Sequence, residues 1–350
     1  MRSLVFIVPG SLESRTGGYE YDRRIIAGLR DRGWSIDVHE LDDSFPAPTP
    51  AARDHAAGVF AAIGDGASVL VDGLALGALP DEIERAAARL RVVGLVHLPL
   101  AAEIGLDCET AARFKATEQR ALAAAALVVV TGRATVAALE RYGVEPERIV
   151  VVEPGADRAP LAHGSGGSSA ELLCVATANP GKGHDILFRA LAMVPHRNWH
   201  LSCVGSLERH PPTVEVLRAT LRETGLTDQV SLVGERDAAG LNAFYDRADL
   251  FVLATLHETY GMAVAEALAR GLPVISTATG AITALVGDDA GVLVPPGDVA
   301  ALAEALSYVL GDARVRAQFA VGARRARERL PTWDEAFGKM SAALERVTLG

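Results

Sequence analysis

The stretch DLFVLATLHETYGMAVAEALARGLPVIST, residues 249–277, holds two short apolar runs with a helix-like segment between them. DLFVLAT and LPVIST lack the polar alternation of a half-exposed strand, so they read as strands of a sheet covered on both faces. A strand, a helix and a second such strand make the repeating unit of a parallel sheet. Glu266 is out of place in the helix, standing among Ala263, Val264, Ala265, Ala267, Leu268 and Ala269. A second carboxylate, Glu258, lies eight residues earlier, with Gly261 between the two.

The same alternation runs outward in both directions. Before residue 155, SLVFIVPG, SIDVHEL, SVLVDG, RVVGLVHL, ALVVVTG and RIVVVEPG read as strands, separated by amphipathic segments such as YDRRIIAGLRDRG and ETAARFKATEQRALAAA. Later, LLCVATA, WHLSCVG and QVSLVG join the two strands already named. Between these sets lies PGADRAPLAHGSGGSSAE, rich in Gly, Ser and Pro and without a hydrophobic period, which reads as a linker. The expected organisation is two doubly wound α/β domains, residues 1–155 and 171–328, joined by a linker at 156–170. Residues 329–350, after a Pro break, read as a helix able to cross back towards the first domain. In such sheets ligands bind at the carboxyl ends of the strands, which two facing domains would bring to a common cleft.

Bulk composition narrows the function. The chain has 350 residues, 49% hydrophobic and 22% charged, enough for two sizeable cores. A net charge of −10 offers no general attraction for phosphate backbones or anionic membranes, so no nucleic-acid partner is expected. The run from Arg314 to Arg329 mixes Arg with Ala, Val, Phe and Leu at helical spacing and reads as a solvated helix face. Cys108, Cys174 and Cys203 are widely spaced and read as reduced thiols. The opening strand has no secretion signal before it, and no apolar run reaches the roughly 18 residues that span a bilayer. A cytoplasmic protein without an integral membrane segment is expected.

Chemistry-bearing residues fall just after strands. Gly17 and Gly18 precede a helix, where they let backbone approach a ligand; a flexible helix entry is the plainer alternative. Lys182 lies between Gly181 and Gly183 ahead of another helix, a placement suited to a phosphate, although a surface lysine would look the same. It is followed by Gly183 rather than Ser or Thr, which excludes a P-loop, and no G-x-G-x-x-G occurs in the chain. A helix starting near Gly261 sets Glu258 in the loop above free N–H groups and Glu266 in the second turn. At ~1.5 Å rise per residue the two carboxylates stand roughly 10 Å or more apart, too far for the ~5.5 Å pair of a retaining glycosidase. A carboxylate accepts both donors of a vicinal diol. Glu266 on a ribose, Glu258 on another sugar and phosphate at the helix start between them describe a nucleoside diphosphate sugar. Helix capping by Glu258 and a salt bridge for Glu266 are the alternative.

E(TYGMAVA)E followed by ALARGLPVIST and AGVLVPPGD, with the early double glycine, VVEPGAD and PGKGHDIL, resembles family 4 of the retaining glycosyltransferases, of GT-B fold. The resemblance covers most of the chain. It implies that Glu266 binds the donor ribose, Glu258 the transferred sugar, and Lys182 the diphosphate, helped by the amides of Gly261, Met262 and Ala263. It also implies that Gly17 and Gly18 approach the donor from the first domain, the acceptor side. His97, in GLVHLPL, would line the reacting sugar, with a core histidine as the other reading. Thr177 stands where the family usually has an arginine, so a single cation meets the diphosphate unless Arg15 supplies a second.

No Asp-x-Asp occurs, so neither metal nor other cofactor is expected, and the family implies retention of anomeric configuration. The function expected is hexosyl transfer from a nucleotide sugar to a small-molecule or glycan acceptor. YDRRIIAGLRDRG mixes Arg with Asp rather than forming a basic amphipathic helix, which leans towards a soluble acceptor over a lipid. A nucleotide-sugar-binding protein without transfer activity and a GT-B nucleotide-sugar epimerase are the competing functions.

Overall fold

The computed structural model describes residues 2–349; Met1 and Gly350, the outer ends of the expected first domain and terminal helix, lie outside the described residues. The chain divides into two compact units, Met1–Gly155 with Pro331–Gly350, and Ala156–Leu330.

The first unit is built on strands β1 (Arg2–Pro9), β2 (Trp34–Leu41), β3 (Ser68–Asp72), β4 (Arg91–Val96), β5 (Leu127–Val130) and β6 (Ile149–Val151). They form one parallel sheet in the order β2-β1-β3-β4-β5-β6. Val69, Val71, Val96, Val128 and Val130 are wholly buried, which explains why β3, β4 and β5 carry no polar alternation, whereas β2, at the sheet edge, alternates. The strand order reverses between β1 and β3, so the loops after those strands flank the sheet's switch point.

The terminal helix Trp333–Leu349 belongs to this unit and packs on the helix Gly17–Asp31. Gly28 permits the approach, because a Cβ there would meet the Phe337 ring at 2.2 Å. The Trp34 indole donates to Ser341 Oγ at 3.0 Å across the same contact.

The second unit carries β7 (Ala170–Val175), β8 (Trp199–Val204), β9 (Val230–Gly234), β10 (Leu250–Leu253), β11 (Val274–Thr277) and β12 (Gly291–Val294). Its sheet is also parallel, ordered β12-β11-β10-β7-β8-β9, and reverses between β7 and β10. The strand β12, GVLV, was not among those expected: its four residues run directly into Pro295 and Pro296 and leave a short signal. Residues 156–169 form neither helix nor strand and lie along this unit, with the Asp249 carboxylate accepting from the amides of Ser165 and Glu171. The arginine-rich run forms the helix Ala313–Arg327, with Arg325 paired to Asp289 at 2.6 Å. Among the described residues no helix is long and apolar enough to cross a membrane.

One buried carboxylate gives the fold a pH dependence. Glu118, on the helix Cys108–Ala124, is fully buried and accepts the Leu100 amide at 3.1 and 3.2 Å. Burial pushes its carboxyl up to about 8 from an ordinary 4.5, and the Leu100 amide pulls it back only in part. Between those two values the folded chain holds a proton that the unfolded chain has lost, so stability falls as pH rises through the window and levels off above it. Glu118→Gln should flatten that slope and leave the variant more stable than the parent at pH 8 by on the order of 2 kcal/mol. Urea unfolding at pH 5 and pH 8 measures it; an unchanged slope in the variant would contradict the assignment.

Candidate functional site

The loops after β7 and β10 flank the switch point of the second sheet, and they carry Lys182 and Glu258. After β7 the chain makes a single tight turn, Pro180–Lys182, whose entry is capped by the Asn179 side chain accepting the Lys182 amide at 3.2 Å. Gly183 then takes a left-handed φ of +62° to start the helix His184–Met193. A Cβ at Gly183 would sit 2.1 Å from the Ala254 carbonyl oxygen, so only glycine lets this turn press against the end of β10. The Leu256 amide donates to Gly181 O at 2.8 Å, and the Thr255 hydroxyl lies 3.1 Å from the same oxygen. The two loops are thereby stitched together, and Lys182 Nζ meets Glu258 Oε2 at 2.7 Å. Both side chains stay partly accessible, at 27% and 15%.

Beyond Glu258 the helix Met262–Ala269 starts at Gly261, which has a φ of +97°, and no side chain caps it. Met262 and Ala263 are its first residues, so their amides are among those that point out of the helix start. Gly280 holds this loop from the other side: with φ at +51°, its Cβ would lie 1.8 Å from the Glu258 carbonyl oxygen. Glu266 is half-buried, and the Tyr245 hydroxyl donates to its Oε2 at 2.9 Å. Burial first, and then the charge of Glu266, push the Tyr245 hydroxyl well above its ordinary pKa, so it remains a donor. The Arg270 guanidinium lies 4.3 Å from the centre of the Tyr245 ring and donates to the Glu266 carbonyl oxygen at 2.9 Å. Thr177 lies between β7 and the Lys182 turn, its carbonyl accepting the Asn179 amide at 2.9 Å.

In the first unit His97 follows β4, and Gly17 and Gly18 open the helix Gly17–Asp31 after β1. A Cβ at Gly18 would lie 3.5 Å from His97 Cδ2, so the double glycine and the histidine are neighbours. Two carboxylates that the sequence reading did not single out complete the cluster. His97 Nε2 lies 3.1 Å from Asp22 Oδ1 and 3.5 Å from Asp72 Oδ2, and both aspartates are buried. Tyr21 closes it, its ring edge-on to the imidazole at 5.4 Å and its hydroxyl donating to Val152 O at 2.9 Å. Burial works against a charged His97, but Asp22 and then Asp72 outweigh it and raise its pKa. Burial and the Asp22 charge lift Asp72 to about 7, against the pull of His97 and the Leu74 amide. Asp72 therefore exchanges its proton near neutral pH, beside a His97 whose charged form its carboxylate neighbours favour. Asp72 ends a strand at the switch point, as His97 ends its neighbour, and the strand-end rule that found one would have found the other.

Among the described residues, two groups of side chains have the donor atoms to meet a metal ion, with each set within 4.8 Å: Asp22, Asp72 and His97, and the buried Cys174, His184 and Cys203.

Residues 169–312 match the family model described as Glycosyl transferases group 1. The chain is 34% identical over 245 residues to a D-inositol 3-phosphate glycosyltransferase of Salinispora arenicola (strain CNS-205), covering 62% of this chain and 54% of the relative. It is 32% identical over 248 residues to a protein of the same name from Xylanimonas cellulosilytica, covering 66% and 59% respectively. The chain thus spans little more than half the length of these curated relatives. Among solved structures, sucrose-phosphate synthase from Thermosynechococcus elongatus superposes with a TM-score of 0.83 at 19% identity over the whole of both chains. Anabaena HepE in complex with UDP and glucose gives a TM-score of 0.79 at 18% identity, over 99% of this chain and 100% of that one. At such identities what is shared is the fold, and it is the expected GT-B arrangement of two doubly wound sheets.

Proposed function

We propose that this chain, which matches the group 1 glycosyl transferases over residues 169–312, moves a hexosyl group from a nucleoside diphosphate sugar to a soluble acceptor, with retention and without a metal. The observation that carries this reading is the Lys182–Glu258 pair, 2.7 Å long, beside the uncapped start of the helix Met262–Ala269. One cation and a set of outward-pointing amides suit a diphosphate, and the neighbouring carboxylate suits the hydroxyls of the attached sugar. A nucleotide donor also accords with HepE, whose structure contains UDP and glucose.

In the proposed reaction the bond between the anomeric carbon and the diphosphate oxygen breaks. The acceptor oxygen bonds to the same face of that carbon, and its proton passes to the departing diphosphate. Lys182 and the helix amides stabilise the charge that develops on the leaving group. Glu258, held by Lys182, orients the sugar. The soluble acceptor accords with the first-unit helix, where Arg23 donates to Ser14 O, Arg30 to Ile36 O and Arg32 pairs with Asp334, leaving those charges engaged within the unit. The free thiols of Cys108, Cys174 and Cys203 accord with a reducing compartment, and we place the reaction in the cytoplasm.

A panel of nucleotides and nucleotide sugars, read by thermal unfolding, should single out one donor class, since a ligand at 100 times its Kd adds about 2.7 kcal/mol of stability. With that donor, NMR of the fresh product should show the donor's anomeric configuration, unchanged in EDTA. An inverted product would refute retention, and activity lost in EDTA and restored by a divalent cation would refute metal independence.

A further inference from the structure

The first unit contains a cavity of about 520 Å³ above the ends of β3 and β4. Its wall is mostly apolar, formed by Pro46, Leu74, Leu98, Leu100, Leu106 and Phe114. Its polar groups are unevenly placed. Asp22, Asp72 and His97 stand together where the cavity meets the strand ends, and Glu103 and Arg113 are the other charged residues lining it. Arg113 is exposed and lies over the Phe114 ring at 5.6 Å.

This chemistry disfavours an anion. Three carboxylates line the cavity against one arginine and one histidine, and the histidine already faces two of those carboxylates. A phosphate brought to the deep end would meet Asp22 and Asp72, whereas a hydroxyl would find acceptors there. The apolar wall rewards a ligand body that sheds water, and a volume of this size suits a ligand of ~20 heavy atoms. A bare polyol would leave the leucines and Phe114 facing its hydroxyls.

We propose that this cavity binds an uncharged alcohol or phenol with an apolar body, its hydroxyl set against the Asp22–His97–Asp72 cluster, and that this compound is the sugar acceptor. The acceptor role rests on the transferase reading above; the ligand class rests on the cavity alone. The proposal separates this chain from its curated relatives named D-inositol 3-phosphate glycosyltransferase.

The test uses 2-naphthol as the probe and D-inositol 3-phosphate as its rival, with binding followed by calorimetry and UDP titrated in parallel. 2-Naphthol should bind the parent protein and D-inositol 3-phosphate should not. Leu74→Trp and Leu106→Trp, on separate segments of the wall, should each weaken 2-naphthol at least tenfold by filling the cavity, while a circular dichroism spectrum and thermal unfolding like the parent's show that each variant is folded. With the donor found in the nucleotide-sugar panel, mass spectrometry should detect a naphthyl glycoside. Failure of 2-naphthol to bind, binding that survives both tryptophans, or D-inositol 3-phosphate binding that the tryptophans abolish would overturn the ligand class. Bound naphthol with a working donor and no glycoside would overturn the acceptor role. If no nucleotide sugar binds while 2-naphthol does, the transferase reading fails and the ligand class stands.

Discussion

Lys182→Ala is expected to lower kcat/KM on the order of 10²-fold or more, the loss that follows when one partner of a desolvated charged hydrogen bond is removed at about 2–5 kcal/mol. The lysine has two roles in the proposed site, and both end with this change. It faces the diphosphate, and it holds Glu258 through a 2.7 Å bond in which the carboxylate is only 15% exposed. The roles can be told apart. If Lys182 served only to hold Glu258, the Lys182→Ala, Glu258→Gln double variant would fall no further than Glu258→Gln alone. Contact with the diphosphate instead predicts a further loss, together with weaker binding of free nucleoside diphosphate. Thr177→Arg in the Lys182→Ala background should restore part of the donor affinity, because it supplies a cation from the loop between β7 and the Lys182 turn. Arg15, exposed beside the double glycine, is the alternative source of a second charge. Arg15→Ala, measured for donor KM beside Lys182→Ala, decides between them. A Lys182→Ala enzyme of near-normal activity would place the diphosphate elsewhere and remove the basis of the donor site.

The parts of this protein that were legible in its sequence are those written locally. Eleven of the strands could be read because short apolar runs alternate with amphipathic helices; burial on both faces leaves those runs unbroken in the central strands, while β2, at a sheet edge, alternates. The Lys182 and Glu258 loops could be read because each lies within a few residues of a strand end, with glycines whose left-handed backbone has few other uses. Their meeting follows from the sheet order, since β7 and β10 are neighbours at the reversal. The cluster around His97 was less legible because it is assembled from three separated segments: a helix, and the ends of two adjacent strands. Asp22 in YEYDRRII looks like any solvated helix residue, and only the packing of its helix against the strand ends buries it. Tyr245 and Gly280 were missed for the same reason. One reaches Glu266 from another helix, and the other supports Glu258 from across a turn.

Glu266 and Glu258 should part company when each is altered, and this is the second large effect. Glu266→Ala is expected to weaken binding of both the nucleotide sugar and the free nucleoside diphosphate, each on the order of 10²-fold. That is the scale for losing hydrogen bonds from a neutral diol to a charged acceptor, at about 1.5–3 kcal/mol apiece. Glu258→Gln should leave free nucleoside diphosphate binding nearly unchanged while transfer is lost, because its proposed partner is the sugar, which the free nucleotide lacks. The structure adds a graded variant between these extremes. Tyr245 is fully buried and fixes Glu266 through a 2.9 Å hydrogen bond to Oε2, so Tyr245→Phe keeps the carboxylate and the ring but frees its orientation. Nucleotide affinity should then fall by roughly three- to tenfold, the ~0.5–1.5 kcal/mol of an ordinary hydrogen bond, with kcat little altered. A purely structural role for the tyrosine would instead show as lower stability with normal nucleotide affinity. Calorimetric titration of UDP into the three variants reads the nucleotide affinities, and transfer assays with thermal unfolding read kcat and stability. Equal affinity in Glu266→Ala and the parent would remove the ribose from Glu266, and weakened UDP binding in Glu258→Gln would move Glu258 from the sugar to the nucleotide.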